Sequence, residues 1–202
     1  MNQILFTKPT NNDKRKKFIY QIQLYLSFFI IIICIILFFI KNISDAKDKL
    51  ASDTLVENYN ISKLYSKKET NSISENPIFG LLEIPSISLK YAVYSDYNDS
   101  LLKISPCKFY GKTPNQFGNI CIAGHNYDNS LFFSNLSKLK EYDVIYLFDP
   151  NGNKYTYNVT GIYEVFPSDL SPVYNYNNNE KTLTLITCNN KNNKRIIVKA
   201  KQ

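Results

Sequence analysis

Asp143-Val-Ile-Tyr-Leu-Phe-Asp-Pro-Asn-Gly-Asn-Lys-Tyr-Thr-Tyr-Asn-Val-Thr-Gly-Ile-Tyr-Glu-Val165 is the stretch on which the fold turns. Two runs rich in β-branched and aromatic residues, 143–148 and 155–165, flank Pro150-Asn-Gly-Asn153. Asn-Gly between such runs is a hairpin signal. The same texture recurs on both sides. Ile78-Phe-Gly-Leu-Leu-Glu-Ile84 stops at Pro85, Leu89-Lys-Tyr-Ala-Val-Tyr94 alternates, and Asn119-Ile-Cys-Ile-Ala123, Thr182-Leu-Thr-Leu-Ile186 and Arg195-Ile-Ile-Val-Lys199 are short apolar runs. Short strands at close spacing predict a mainly β body, a closed barrel or a sandwich. Short helices are predicted at 100–104 and 131–139. The Asn-rich loops at 175–179 and 189–193 read as solvated turns.

Ahead of this body lies a different material. Residues 18–40 carry no charge, and from Leu24 to Ile40 the chain is almost wholly apolar. About 20 apolar residues span a bilayer, and a buried core helix would keep a polar face. A transmembrane helix is therefore expected at 18–40. Lys14-Arg-Lys-Lys17 precedes it, whereas residues 41–60 mix Lys with Asp and Glu. The positive-inside rule places 1–17 in the cytoplasm as a basic tail and the remainder outside. A cleaved signal peptide competes with this reading, with Ser44-Asp-Ala46 as a weak cleavage site, but the apolar run exceeds the usual h-region of about 7–15 residues. In either case the body is exported. Residues 41–76 are polar, with sparse apolar positions at Ile43, Ala46, Leu50, Ile61 and Leu64. A partly helical stalk and a flexible spacer both fit, and the folded domain is expected to span 77–202.

The chain has 202 residues and a net charge of +7. That excess invites a nucleic-acid reading, which its distribution opposes. Residues 1–17 hold five basic residues against one Asp, while residues 75–202 hold 13 basic against 11 acidic. A nucleic-acid footprint belongs on the folded domain, so no nucleic-acid partner is expected. The charge is mostly a topology signal. A single His excludes His-rich metal sites, and four scattered Cys do not make a disulfide framework.

Among the thiols, Cys34 lies in the apolar span. Cys121, inside a strand, reads as a small buried hydrophobe. Cys107 follows Pro106 near a strand start and has no evident partner. Cys188 ends the run Thr182-Leu-Thr-Leu-Ile-Thr-Cys188 where a strand meets a polar loop. Taken alone, it reads first as a buried strand-end Cys. His125 is placed similarly, where Gly118-Asn-Ile-Cys-Ile-Ala-Gly-His125 runs into Asn126-Tyr-Asp-Asn-Ser130. If the exported domain uses a Cys–His pair, His125 must be the partner. Arg195 is the sole Arg outside the tail. In a domain that otherwise uses Lys, it suggests a need for a fixed, permanently charged fork, although an ordinary surface cation stays open for Arg195 taken singly.

Together, the segments ending in Ala-Gly-His125 and Thr-Leu-Ile-Thr-Cys188, with Arg195-Ile-Ile-Val-Lys199 following, resemble the sortases, the cysteine transpeptidases of Gram-positive cell surfaces. Phe79-Gly-Leu-Leu-Glu-Ile-Pro85 is similar to that family's opening strand. The resemblance implies an eight-stranded sortase β-barrel with short helices behind one transmembrane helix. It implies Cys188 as the nucleophile toward the Thr–Gly bond of a Leu-Pro-x-Thr-Gly-like sorting signal, His125 as general acid and then base, and Arg195 as oxyanion or substrate stabiliser. The implied partners are surface proteins bearing that signal and an amine acceptor such as a peptidoglycan precursor or a pilin Lys. No cofactor is required, and calcium activation, known in some relatives, is left open because no acidic loop cluster can be placed. The chain shows neither an Asp-Pro-aromatic lid nor a C-terminal membrane helix, and 167–181 is short. Both features point to a general anchoring or class D-like subtype. A catalytically inactive tethered binding module and a cysteine endopeptidase that releases product to water are the competing functions.

Overall fold

Alternation within the strands decides which side chains meet. The computed structural model describes residues 11–66, 77–127, 131–174 and 177–202. The strands are β1 Ile78–Ile84, β2 Leu89–Tyr94, β3 Cys107–Tyr110, β4 Gly118–Ala123, β5 Val144–Phe148, β6 Lys154–Val165, β7 Lys181–Asn189 and β8 Lys194–Lys201. They close into a barrel in the order β1-β2-β3-β4-β7-β8-β6-β5. Every second residue points inward: Leu82 and Ile84, Ile120 and Ile122, Ile145 and Leu147, Tyr157 and Val159, Leu183 and Leu185, Val198 and Ala200 form one core. Each fully buried Leu or Ile contributes about 1.5–3 kcal/mol. Closure also removes the exposed strand edges that a sandwich would have to protect, which settles the choice left open by the strand pattern.

The hairpin at 149–153 forms as expected. Asp149 accepts from the backbone N–H of Gly152 at 2.9 Å and of Asn153 through its carboxylate at 2.9 Å. β3 begins at the strand start expected near Cys107, but its extent is not predicted from the sequence. It is four residues long and touches β2 through the single parallel pair Tyr94–Cys107, too short for a period to show. Helix α2, Asp99–Leu102, forms close to its predicted place because the Asn98 side chain accepts from the Leu101 N–H at 2.9 Å. The helix expected at 131–139 does not form. Phe132 sits at φ +51°, which ends helical continuity, and its N–H donates to the Tyr91 hydroxyl at 3.1 Å. Only a 3₁₀ turn at Leu136–Lys138 remains. The connection between β6 and β7 holds one unanticipated helical turn, α3, Ser171–Tyr174.

Helix α1 runs Asn11–Ser66. It is long and apolar enough to cross a membrane, and the apolar side chains of residues 18–40 are exposed. The chain divides into two compact units, 1–46 and 47–202. The unit that contains the barrel therefore begins thirty residues before Pro77, inside the stretch expected as stalk. The helical residues after Lys47 pack onto the barrel. Ser52 and Tyr59 are buried, with Leu55 and Val56 beside them, against Ile78, Leu81, Ala92, Tyr94, Leu102 and Cys107. The Tyr59 hydroxyl donates to the Asp149 carbonyl at 2.6 Å. Leu50, one of the apolar positions noted in the sequence, is exposed. Of the stretch 41–76, residues 67–76 lie outside the described residues.

Candidate active site

Pairing register builds this site. Strands β4 and β7 run parallel, with Asn119 opposite Thr182, Cys121 opposite Thr184 and Ala123 opposite Ile186. Cys188 lies two residues further along β7, and His125 follows the end of β4 by two residues. Across the antiparallel β7–β8 pair, Cys188 faces Arg195. Adjacent strands lie about 4.8 Å apart, so Cys188 and Arg195 stand side by side, and His125, just past the end of β4, continues this row between the Gly124–Ile186 and Asn126–Cys188 bonds that tie its segment to β7. The three residues selected from the sequence are brought together, although His125 and Cys188 are 63 positions apart in the chain.

Several bonds fix the two strand ends to each other. The Thr187 hydroxyl donates to the Gly124 carbonyl at 2.7 Å, and the Gly124 N–H donates to the Ile186 carbonyl at 3.1 Å. The Asn126 side-chain amide donates to the Cys188 carbonyl at 2.6 Å, and the Asn190 amide donates to the Asn126 carbonyl at 2.9 Å. Gly124 has a steric reason: a Cβ there would fall 2.7 Å from the Phe133 ring, which packs against the strand end. The His125 carbonyl accepts from the Phe133 N–H at 2.9 Å, and its ring lies 5.0 Å from that of Tyr127. Sequence reasoning missed these Asn roles because an Asn-rich loop reads equally as a solvated turn. The one available signal was that Asn126 and Asn190 each stand within two residues of a proposed reacting group.

Exposure separates the thiols. Cys107 and Cys121 are buried, and burial pushes each thiol up to about 11. Both are protonated and shielded at neutral pH. Cys34 is exposed on the apolar stretch of α1, and Cys188 is exposed at the end of β7. His125 is half-buried. Its pKa is lowered, first by burial and then by the charge of Lys103, with Asp99 opposing. Beside the β7–β8 turn, the Glu164 carboxylate accepts from the Asn189 and Asn192 amides, which lower its pKa. Among the described residues, no group of three or more His, Cys, Asp or Glu could hold a metal ion.

A family description, the sortase domain, matches residues 82–202. The chain belongs to the sortase family. It is 35% identical over 118 residues to sortase A of Bacillus anthracis, an alignment covering 58% of this chain and 55% of that protein. It spans about half the length of that relative and of sortase A of Listeria monocytogenes. Among solved structures, a Clostridium perfringens sortase D5 transpeptidase is similar with a TM-score of 0.59 at 27% identity, over 76% of this chain and 96% of that one. Sortase A from Corynebacterium diphtheriae is similar with a TM-score of 0.57 at 29% identity, over 64% and 62% of the two chains. The barrel of this sortase is thus the expected eight-stranded one, and the segment matched by the family description contains all three residues of the row.

Proposed function

We propose that this sortase is a membrane-anchored cysteine transpeptidase that cuts a Leu-Pro-x-Thr-Gly-like sorting signal between Thr and Gly and passes the acyl group to an amine of the cell wall. The observation that carries the reading is an exposed thiol paired across β7 and β8 with a guanidinium, with the chain's only imidazole just past the end of the adjoining strand β4. The Cys188 thiolate attacks the Thr carbonyl, and the electron pair moves to oxygen, where the Arg195 fork stabilises it. Collapse expels the Gly amine, which takes a proton from His125 and leaves a thioacyl enzyme. The incoming amine gives a proton to His125, attacks the thioester and releases the thiolate. One imidazole serves both halves because the second step returns the proton the first consumed. The tail at 1–17 stays cytoplasmic, 18–40 spans the membrane, and the barrel works outside. A general anchoring or class D-like role fits the short β6–β7 connection.

The test uses the full chain in detergent with a quenched Leu-Pro-x-Thr-Gly peptide, with and without diglycine or a diamino acid. The expected result is cleavage at Thr–Gly with an amide product that gains the mass of the added amine. Absence of cleavage, or hydrolysis alone at saturating amine, would overturn the reading. Arg195→Lys is expected to lose about 10²–10³ in kcat/KM, because an ammonium cannot reproduce two parallel N–H donors. Near-normal turnover in that variant would remove Arg195 from the site.

A further inference from the structure

The face of the sheet that carries Cys188 is ruled into rows. His125, Cys188 and Arg195 make the first. Ala123, Ile186 and Ile197 make the next, and Cys121, Thr184 and Lys199 the one after. Each row lies about 6.6 Å from the last, two residues along a strand. Helix α3 covers the middle row: Val173 is buried against Ile186, Ile197 and Cys121. This cover therefore stands one row from Cys188 on the same face of the sheet.

Four residues of helix leave the carbonyls of α3 without intrahelical donors. The third row, with Asn119 from the row beyond it, supplies them. The Lys199 ammonium donates to the Pro172 carbonyl at 2.7 Å and to the Thr184 hydroxyl at 2.9 Å. The Asn119 amide donates to the Val173 carbonyl at 2.9 Å and the Pro172 carbonyl at 3.2 Å. Its own oxygen accepts from the Thr184 hydroxyl at 2.8 Å. Asn119 and Thr184 are buried, and Lys199 is half-buried with a pKa lowered chiefly by that burial. Among the described residues, Lys199 has no carboxylate within ion-pair distance. An ammonium held off solvent with only neutral acceptors is costly, and a hydrophobe would fill the same space at less cost. What the ammonium adds is a fixed position for Pro172–Val173.

We propose that Lys199, with Asn119 and Thr184, is a positioning residue that locks the Pro172–Val173 segment as the wall of the acyl-donor groove beside Cys188. The proposal rests on the transpeptidase reading of that groove. It acts on donor binding, because Lys199 stands two rows from the reacting groups and does not touch them.

Lys199→Met keeps the chain length and removes every donor. In full-length protein, KM for the donor peptide is expected to rise about tenfold or more, with kcat within about threefold. The rate at which iodoacetamide alkylates Cys188 should not change. Lys199→Arg, which keeps cationic donors, should restore KM to within about threefold of wild type. Lys199→Gln, neutral with one donor group, should fall between and serves as the measurement if the Met variant does not fold. An unchanged KM, even alongside a lowered Tm, would make the cluster merely structural and overturn the proposal. Slowed alkylation with a matching loss of kcat would overturn it also. If wild type cleaves no donor peptide, the transpeptidase reading fails; if wild type is active and the variants keep its KM, only the lock fails.

Discussion

Cys188→Ala yields a folded protein with no measurable peptide cleavage, a loss on the order of a millionfold, the scale seen when a covalent nucleophile is deleted. Two buried thiols remain in the barrel and neither can substitute. Cys107 and Cys121 are enclosed, with pKa values pushed to about 11. Cys34 lies on the apolar helix. Because Cys188 is exposed, its truncation should move stability by about 0.5 kcal/mol or less. The two measurements belong together: cleavage of the quenched peptide and thermal unfolding of the same preparation. Turnover that survives with an unchanged Tm would dismiss Cys188 as the nucleophile.

His125→Ala is expected to cost about 10²–10⁴ in kcat/KM, the usual range for a positioned acid–base group. There is no second imidazole to take its place. The same ring gives a stability signature with a defined sign. Burial lowers its folded-state pKa below 6.5, so the unfolded chain binds the proton more readily. The stability this confers is present above the unfolded value of about 6.5 and is lost as pH falls below it. Wild type should therefore lose more Tm between pH 7.5 and pH 5.5 than His125→Ala does. No other side chain has an ordinary pKa in that window. Identical acid sensitivity in the two proteins would contradict a desolvated His125.

Much of the barrel was readable from residues 78–84, 89–94 and 143–165, where alternation and the Asn-Gly turn are local properties. Residues 131–139 misled because their apolar spacing suits a helix. The left-handed Phe132 and its bond to Tyr91, forty-one positions away, prevailed. Of β3, four residues long, only the start at Cys107 was legible. On α1, the apolar positions noted from the sequence included the exposed Leu50, while Ser52 and Tyr59 bury themselves. Helical spacing alone does not say which stripe finds a partner, and the barrel surface that receives Tyr59 is assembled from β1, β2 and the segment up to Cys107.

At the site, residue type and strand-end position made Cys188, His125 and Arg195 candidates, and the resemblance to the sortases is what assigned them roles. Asn126, Asn190 and Thr187 were not picked out, because Asn and Thr in loops and strands have too many ordinary uses. By itself the sequence determined the apolar span, the place of the charge and the chemical groups available for reaction. All three are set by local composition. Only the tertiary structure decided that Cys188 is exposed while Cys107 and Cys121 are enclosed, that the helix after Lys47 packs with the barrel, and that Lys199 reaches the Pro172 carbonyl in α3. Each of those depends on pairing between segments distant in the chain, and a one-residue slip of β7 against β4 would turn Cys188 to the opposite face of the sheet.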